Sequence, residues 1–430
     1  MLNEPQRRAD IRTTLQAAGY SVIQFEPAIG STNDFRPDVI AFAADSHGNL
    51  IPRVAIEVKS GVAMKRPEFV LPALARSREL LGTTEHYAVI GDQWYRADRG
   101  LRSVERVPGP DPLDDTGVGS GFVTDLSLAT SLLLDRLRAE AGDRRGREST
   151  TTFPPADIMA ETLLPGVETV SGDFVPVDHK VLWQARRQAL VEFASGARST
   201  SAHVSDSLIA QAVAHLIGSR LDGTVLDPFC GTGSFLWAAL DRAVQIEGPV
   251  EFVGVEREPD LAELAGHIAL SAPMPATVTC DDAFSTELPE AQAVVSAPPI
   301  GGRMQGERHS LLTGDQTSET ELAALDACIR TLAPGGRAVL HLPIGVTFKR
   351  GVHERYRDFL SNECRVAALI GLPPGALEGT QIRSLLLVVD RDQPGDTFVA
   401  QLGADWRTQL EKDGAALQAA LEHVDDSSRG

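Results

Sequence analysis

The chain has 430 residues, of which 43% are hydrophobic and 23% charged, with a formal net charge of −19. Its length and apolar content allow about two to three folded domains, and no apolar run approaches the ~20 residues of a membrane-spanning helix. The acidic balance excludes DNA binding through bulk charge alone, because neutralisation of phosphates by Lys and Arg supplies most nonspecific affinity. A nucleic-acid role therefore calls for local positive charge, as in the arginine-rich stretches 135–148 and 180–188, or for a DNA-reading partner. The bland reading of those arginines is a solvated linker and a helix face.

In chain order, EPQRRADIRTTLQAAGYSV (4–22) is expected as a helix. FRPDVIAFA (35–43) and RVAIEVKSG (53–61) are expected as strands joined by the turn DSHGN (45–49). Strand alternation puts Val54, Ile56 and Val58 on one face and Glu57 and Lys59 on the other, with Asp38 at the start of the neighbouring strand reaching the same spot. Two carboxylates and a lysine can hold Mg²⁺, with Asp38 and Glu57 as ligands, and polarise water against a phosphodiester. Such a set on a sheet face can equally be solvated charge. A helix at about 67–81 and a strand at 86–92 complete an α-β-β-β-α-β order. This first region, 1–106, resembles the PD-(D/E)XK nuclease superfamily through Pro37-Asp38 and Glu57-Val58-Lys59. That resemblance implies catalytic roles for Asp38, Glu57 and Lys59, with Glu4 as an extra metal-site acid.

Residues 107–155 read as two Pro/Gly-rich linkers, 108–121 and 142–155, flanking a helix at 123–141. A second domain is expected over 156–400, with a helical lead-in at 156–197, followed by a C-terminal helix and tail over 401–430. The stretch VLDPFCGTGSF (225–235) reads as a buried strand, a tight glycine turn and the start of a helix. Glycines permit the positive φ angles of such a turn and close approach of a ligand. The next strand, EFVGVE (251–256), ends in Glu256, placed to accept hydrogen bonds from ribose hydroxyls. A third, ATVTC (276–280), leads into Asp282 and Phe284, a carboxylate and a ring face suited to adenine. Polar groups at the ends of successive strands mark the ligand edge of open α/β sheets; plain turn chemistry is the competing reading.

With RSTSAHVSDSLIAQAVAHLI (198–217), LAPGGRAVLHLPIGVTF (332–348) and VAALIGLPPGALEGTQIRSLLLVVD (366–390), residues of about 195–392 resemble the S-adenosylmethionine (SAM)-dependent N6-adenine DNA methyltransferases. The similarity is greatest to the modification subunit of type I restriction systems. It implies an α/β fold with a seven-stranded Rossmann-like SAM-methyltransferase sheet beside the nuclease-like α/β domain. The implied cofactor contacts are Asp227, Phe229, Gly231, Thr232, Gly233, Glu256, Asp282 and Phe284. The family's Asn-Pro-Pro-aromatic loop is here Ala297-Pro298-Pro299-Ile300. The missing amide removes the acceptor for the target amino group, and the missing ring removes the platform for a flipped base. Losing one positioned electrostatic group costs on the order of 10²–10³ in rate. Ser296, one position earlier, is expected to point elsewhere.

Three functions follow as expectations: a DNA N6-adenine methyltransferase fused to a nuclease in a restriction–modification or phage-defence setting, its methyl transfer brought into question by Ala297; a noncatalytic SAM module beside a Mg²⁺-dependent nuclease in phage defence; or a methyltransferase for a non-DNA substrate. About 40 residues follow the strand at 384–390, too few for a target recognition domain, so a specificity subunit is the expected partner for DNA. Cys230, Cys280, Cys328 and Cys364 form no CxxC pair, and the ten histidines form no HxxxH cluster. Free thiols and the start MLNEPQRRADI, without an apolar signal core, point to the cytoplasm.

Overall fold

The computed structural model describes residues 4–27, 36–59, 66–113, 121–145, 166–169, 172–195, 204–246, 249–304, 308–377 and 380–426. The chain divides into two compact units, Met1–Ala194 and Ser195–Gly430.

The first unit opens with α1 (Glu4–Ala17), followed by β1 (Val22–Phe25), β2 (Val39–Ala44) and β3 (Leu50–Lys59). A short 3-10 turn leads into α2 (Leu71–Leu81), then β4 (Glu85–Ile90), β5 (Gln93–Ala97) and β6 (Val104–Val107). The six strands lie in sequence order, β1-β2-β3-β4-β5-β6, and only β3 and β4 are parallel. The β2–β3 turn is fixed by Asp45, whose side chain accepts from the His47 and Asn49 amides at 2.8 and 2.9 Å. A parallel neighbour needs a crossover, and α2 supplies it between β3 and β4.

Alternation along the strands splits the core. Val39, Ala41, Val54 and Ile56 pack with Ile11 and Leu15 of α1. Ile40, Phe42 and Ala55 face Leu74 of α2 together with Leu128, Leu132, Leu182 and Ala185. The last four belong to α3 (Leu126–Arg145) and α4 (His179–Ser195), with the hairpin β7 (Gly166–Glu168) and β8 (Phe174–Pro176) between those helices. The helix expected to bridge two domains and the helical lead-in expected to open the second thus cover the far face of the first sheet. The division falls at 194/195 instead of near 106 and 155. Residues 114–120 and 146–165, from the expected linkers and lead-in, lie outside the described residues.

Of the arginine-rich stretches, the described side chains are partly engaged within the first unit. Arg138 pairs with Glu192 at 3.2 Å, Arg186 is 7% exposed and donates to the Gly166 carbonyl, and Arg187 lies over the Trp183 ring.

The second unit contains α5 (Ser207–Leu216), β9 (Gly223–Asp227), α6 (Ser234–Ile246), β10 (Val250–Glu256), α7 (Pro259–Leu270), β11 (Ala276–Cys280) and β12 (Ala291–Ser296). After the two-residue strands β13 (His309–Ser310) and β14 (Gln316–Thr317) come α8 (Thr320–Arg330), β15 (Leu332–Pro343), α9 (Val352–Glu363), β16 (Arg365–Leu372), β17 (Ser384–Asp390) and β18 (Phe398–Gln401). The main sheet runs β11-β10-β9-β12-β15-β17-β16-β18, with β17 antiparallel to both neighbours.

It has eight strands where seven were expected. The addition, β18, pairs in parallel with Ala368–Gly371 and covers what would otherwise be an open edge at β16. The C-terminal helix expected within 401–430 is two helices, α10 (Trp406–Leu410) and α11 (Ala415–Asp426), broken before Gly414. A Cβ on Gly414 would meet the carbonyl oxygens of Gln409 and Thr408. Fully buried Arg337 ties α11 to the sheet: it grips Asp390 at 2.6 Å, reaches Asp425 at 3.2 Å, and donates to the Val424 carbonyl. No helix among the described residues is long and apolar enough to cross a membrane.

Candidate functional site

In the second unit, parallel strands β9, β10, β11 and β12 end on one side of the sheet. Strand order reverses between β9 and β12, and a crevice at such a switch point is where open α/β sheets take ligands. A cleft of about 1370 Å³ lies there, lined by Asp227, Gly231, Glu256, Asp282, Phe284 and the loop 297–300 among others.

The glycine turn builds its floor. Gly231 and Gly233 take φ values of +55° and +85°, a region most side chains avoid. The Gly231 amide donates to Glu256 Oε2 at 2.8 Å, and Glu256 Oε1 accepts from the Glu258 amide at the same distance. Both carboxylate oxygens at the end of β10 are thereby held by the loops around them. Thr232 and Gly233, expected as cofactor contacts, do not line the cleft. The Thr232 carbonyl accepts from Trp237 Nε1 at 2.8 Å, and Gly233 leaves room for that indole, which a Cβ would approach to 2.1 Å. These two residues shape the turn from behind.

Phe284 and Phe229 sit 5.2 Å apart between ring centroids, and the His309 ring meets Phe284 edge-on at 5.9 Å. Asp282 accepts from the Phe284 amide at 3.0 Å, which sets carboxylate and ring side by side. His309 carries no motif and was not anticipated; Asp326 on α8 holds it at 2.9 Å. Asp206, which lines the cleft, caps α5 by accepting from Leu208 and Ile209. Its signal in the sequence is an acid directly before an apolar helical run.

Asp227 ends β9 and is 2% exposed. Its Oδ1 accepts from the Phe229 amide at 3.1 Å and from Ser296 Oγ at 2.8 Å. Burial pushes its carboxyl up to about 7; the Ser296 and Phe229 hydrogen bonds oppose that rise, and the charge of Glu256 adds to it. The Ser296 hydroxyl is thus engaged by the carboxylate at the end of β9.

Also lining the cleft, Ala297, Pro298, Pro299 and Ile300 present neither a side-chain amide nor an aromatic ring, and no Asn or Gln lines the cleft among the described residues. The loop is held from behind. The Gly301 amide donates to Glu321 at 3.0 Å, Glu321 pairs with Lys349 at 3.2 Å, and Lys349 and His353 meet at Glu319. Hydrogen bonds from His353 and Lys349 keep the Glu319 carboxyl below its ordinary range.

In the first unit, Asp38, Glu57 and Lys59 come together. Lys59 Nζ lies 2.7 Å from both Asp38 Oδ2 and Glu57 Oε2, and the Val58 amide donates to Asp38 at 2.7 Å. Burial and then the Asp38 charge raise Glu57, which Lys59 opposes. Burial works against the Lys59 charge, yet hydrogen bonds to both carboxylates lift it above its ordinary range. Two carboxylates that share one ammonium can also share a hard cation, so the donor set is compatible with Mg²⁺, which binds through one or two carboxylates plus water or phosphate. Glu4 does not join them; it pairs with Arg8 at 2.8 Å. No group of three or more His, Cys, Asp or Glu residues suited to a metal occurs among the described residues.

The second unit thus has an α/β fold like that of SAM-dependent methyltransferases. One solved protein of that class, from Listeria monocytogenes, superposes with a TM-score of 0.54 at 16% identity, covering 69% of this chain and 98% of that one. The family model for N-6 DNA methylases matches residues 189–420, more than half of the chain, and the chain belongs to that family. The type I restriction enzyme EcoEI methylase subunit of Escherichia coli is 28% identical over 41% of this chain and 40% of its own length. The EcoKI methylase subunit of Escherichia coli K12 is 26% identical over 50% of this chain and 46% of its own. The chain therefore spans less than half the length of these curated relatives.

Proposed function

We propose that the second unit is a SAM-binding module of a DNA modification or restriction system that holds its cofactor without transferring the methyl group. Its neighbour in the chain is then a Mg²⁺-dependent nuclease-like unit active in phage defence, and a separate specificity subunit reads the DNA. The observation that carries this reading is the contrast within one cleft. Asp227, Glu256, Asp282 and Phe284 keep the chemistry for an amino acid end, a ribose and an adenine, whereas Ala297 and Ile300 leave the base end without acceptor or platform.

When bound, SAM supplies an electrophilic methyl group. The residues of the chain divide the rest. Glu256 accepts from the ribose hydroxyls, Asp282 from the adenine amino group, and Phe284 covers the ring. Activation of an attacking amino group needs an acceptor aimed at it, and Ala297 has none. In the first unit, Asp38 and Glu57 would hold Mg²⁺, and Lys59, displaced from between them, would position a water against a phosphodiester.

The test has two parts. Calorimetric titration with SAM should show micromolar binding that is lost in Asp227→Ala, and labelled SAM should leave no methyl label in DNA. Label in DNA overturns the noncatalytic assignment; no binding overturns the cofactor assignment. For the first unit, Mg²⁺-dependent nicking should disappear in Asp38→Ala and Lys59→Ala, and unchanged nicking would place the metal site elsewhere.

A further inference from the structure

We infer that Ser296 is a positioning residue for the amino acid end of the cofactor, fixing Asp227 as the acceptor of its ammonium group and making the cleft selective for amino-acid-bearing adenosyl ligands. The inference rests on the SAM reading above and assigns a role to a side chain that no motif singles out.

Asp227 lines the cleft, is almost fully buried, and has no Lys, Arg or His partner among the described residues. A buried carboxylate is costly unless paired or well hydrogen-bonded. Its two hydrogen bonds both end on Oδ1, which leaves Oδ2 without a hydrogen bond among the described residues. The site is therefore short of one cation beside Oδ2, and the ligand has to bring it. Of the groups on SAM, only the ammonium is both a cation and a hydrogen-bond donor.

Ser296 makes this arrangement specific. It is 0% exposed at the end of β12, and the pairing of Ala293 with Val225 and of Val294 with Leu226 brings that strand end alongside the end of β9. A hydroxyl there has one proton to donate, and the 2.8 Å contact spends it on Asp227 Oδ1. This locks the carboxylate rotation and leaves Oδ2 for the ligand. Without the hydroxyl, Oδ1 keeps a single donor, the Phe229 amide. The carboxylate is then freer to turn and harder to keep ionised. The strand end that carries the altered loop thus serves the cofactor, whatever has become of the base.

The experiment compares three ligands on the full chain by calorimetry: SAM, S-adenosylhomocysteine, and 5′-methylthioadenosine, which keeps the adenosine and thioether but lacks the amino acid. In Ser296→Ala, affinity for the first two should fall about tenfold, as expected for one hydrogen bond to a charged group, while 5′-methylthioadenosine changes by less than about twofold. Asp227→Asn, close in shape, should lose the same discrimination more completely and reports on the site should Ser296→Ala fold poorly. Equal weakening of all three ligands in both variants would reduce Ser296 to packing and overturn the inference. So would unchanged binding. If the wild-type chain binds none of the three, the SAM reading falls first and this inference with it, an outcome distinct from a failure confined to the variants.

Discussion

Each unit holds a pair of acids in its candidate site, and the two pairs are neutralised differently. Asp38 and Glu57 share the Lys59 ammonium, 2.7 Å from each. Asp227 and Glu256 share no cation among the described residues: Asp227 is held by a hydroxyl and an amide, and Glu256 by two amides. The first site carries one counter-charge of its own for its two acids. The second has hydrogen bonds on Asp227 Oδ1 and on both Glu256 oxygens but no cation among the described residues, and burial lifts Asp227 to about 7. The comparison teaches where each ligand's charge must come from. A cation entering the first site has to displace Lys59, whereas the ligand of the second has to bring a cation of its own.

The most damaging way to break the second site is from behind. In Gly233→Ala, a Cβ would lie 2.1 Å from Trp237 Nε1 at a φ of +85°. Clash and strained backbone together should cost on the order of 3–5 kcal/mol, with SAM binding lost as the turn shifts. Chemical denaturation measures the first effect; a loss below about 1 kcal/mol would show that the indole moves aside.

Asp227→Asn should sharpen the charge argument through pH. Burial holds the Asp227 carboxyl near 7 in the folded state, above its ordinary 3.8, so between those values the folded protein holds a proton the unfolded chain has lost. Stability therefore falls as pH rises from about 4 to 7, by at most on the order of 4 kcal/mol. The variant should be more stable than wild type at pH 8, converge with it near pH 4, and bind SAM at least about 100-fold more weakly, a loss typical of an uncompensated ion pair. Thermal melts at the two pH values without ligand check the sign. A variant less stable than wild type at pH 8 would mean that Asp227 has a counter-charge after all.

Lys59→Met makes the opposite change in the first unit, stripping two acids of their cation. Removing one partner of a buried pair costs about 3–5 kcal/mol; with Lys59 and Asp38 more than a quarter exposed, solvent screening reduces this to about 2 kcal/mol. Millimolar Mg²⁺ should then raise the Tm of the variant more than that of wild type, because the ammonium no longer competes. An equal response would show that Asp38 and Glu57 do not form a metal site.

The parts of this comparison that could be read in the sequence are those with local causes. The turn at 45–49, the alternation that sends Glu57 and Lys59 to one side, and the run from Val225 through Gly233 all follow from residue type and spacing. So does the placement of Glu256, Asp282 and Phe284 at strand ends. What stayed hidden depends on contacts between distant segments. Ser296 and Asp227 are 69 residues apart and meet only because β12 lies beside β9. The pairing of β18 with β16, the packing of α3 and α4 on the first sheet, and the Glu321–Lys349 support behind residue 301 carry no period or motif of their own. Thr232 and Gly233 show a second contribution of the loop, behind the cleft. A glycine-loop pattern marks every residue in it as a contact, whereas the fold uses some of them to seat Trp237.

The smallest expected effect tests the loop that follows β12. Ala297→Asn restores the side-chain type that the family uses as an acceptor, yet it should change SAM affinity by less than about twofold and leave DNA methylation undetected. The substitution is made in a loop whose rear is fixed by the Gly301–Glu321 hydrogen bond, so the new amide adds an acceptor without disturbing Asp227 or Glu256. It also leaves Ile300, which has no ring to hold an extruded base. Methyl transfer needs capture and activation together, and restoring one of two groups that act as a unit recovers little of their joint contribution. Label appearing in DNA with the single variant, and without a partner subunit, would show that Ala297 alone separates this cleft from an active one. Label appearing only in Ala297→Asn combined with Ile300→Phe would place the block in both residues, with the cofactor end already competent.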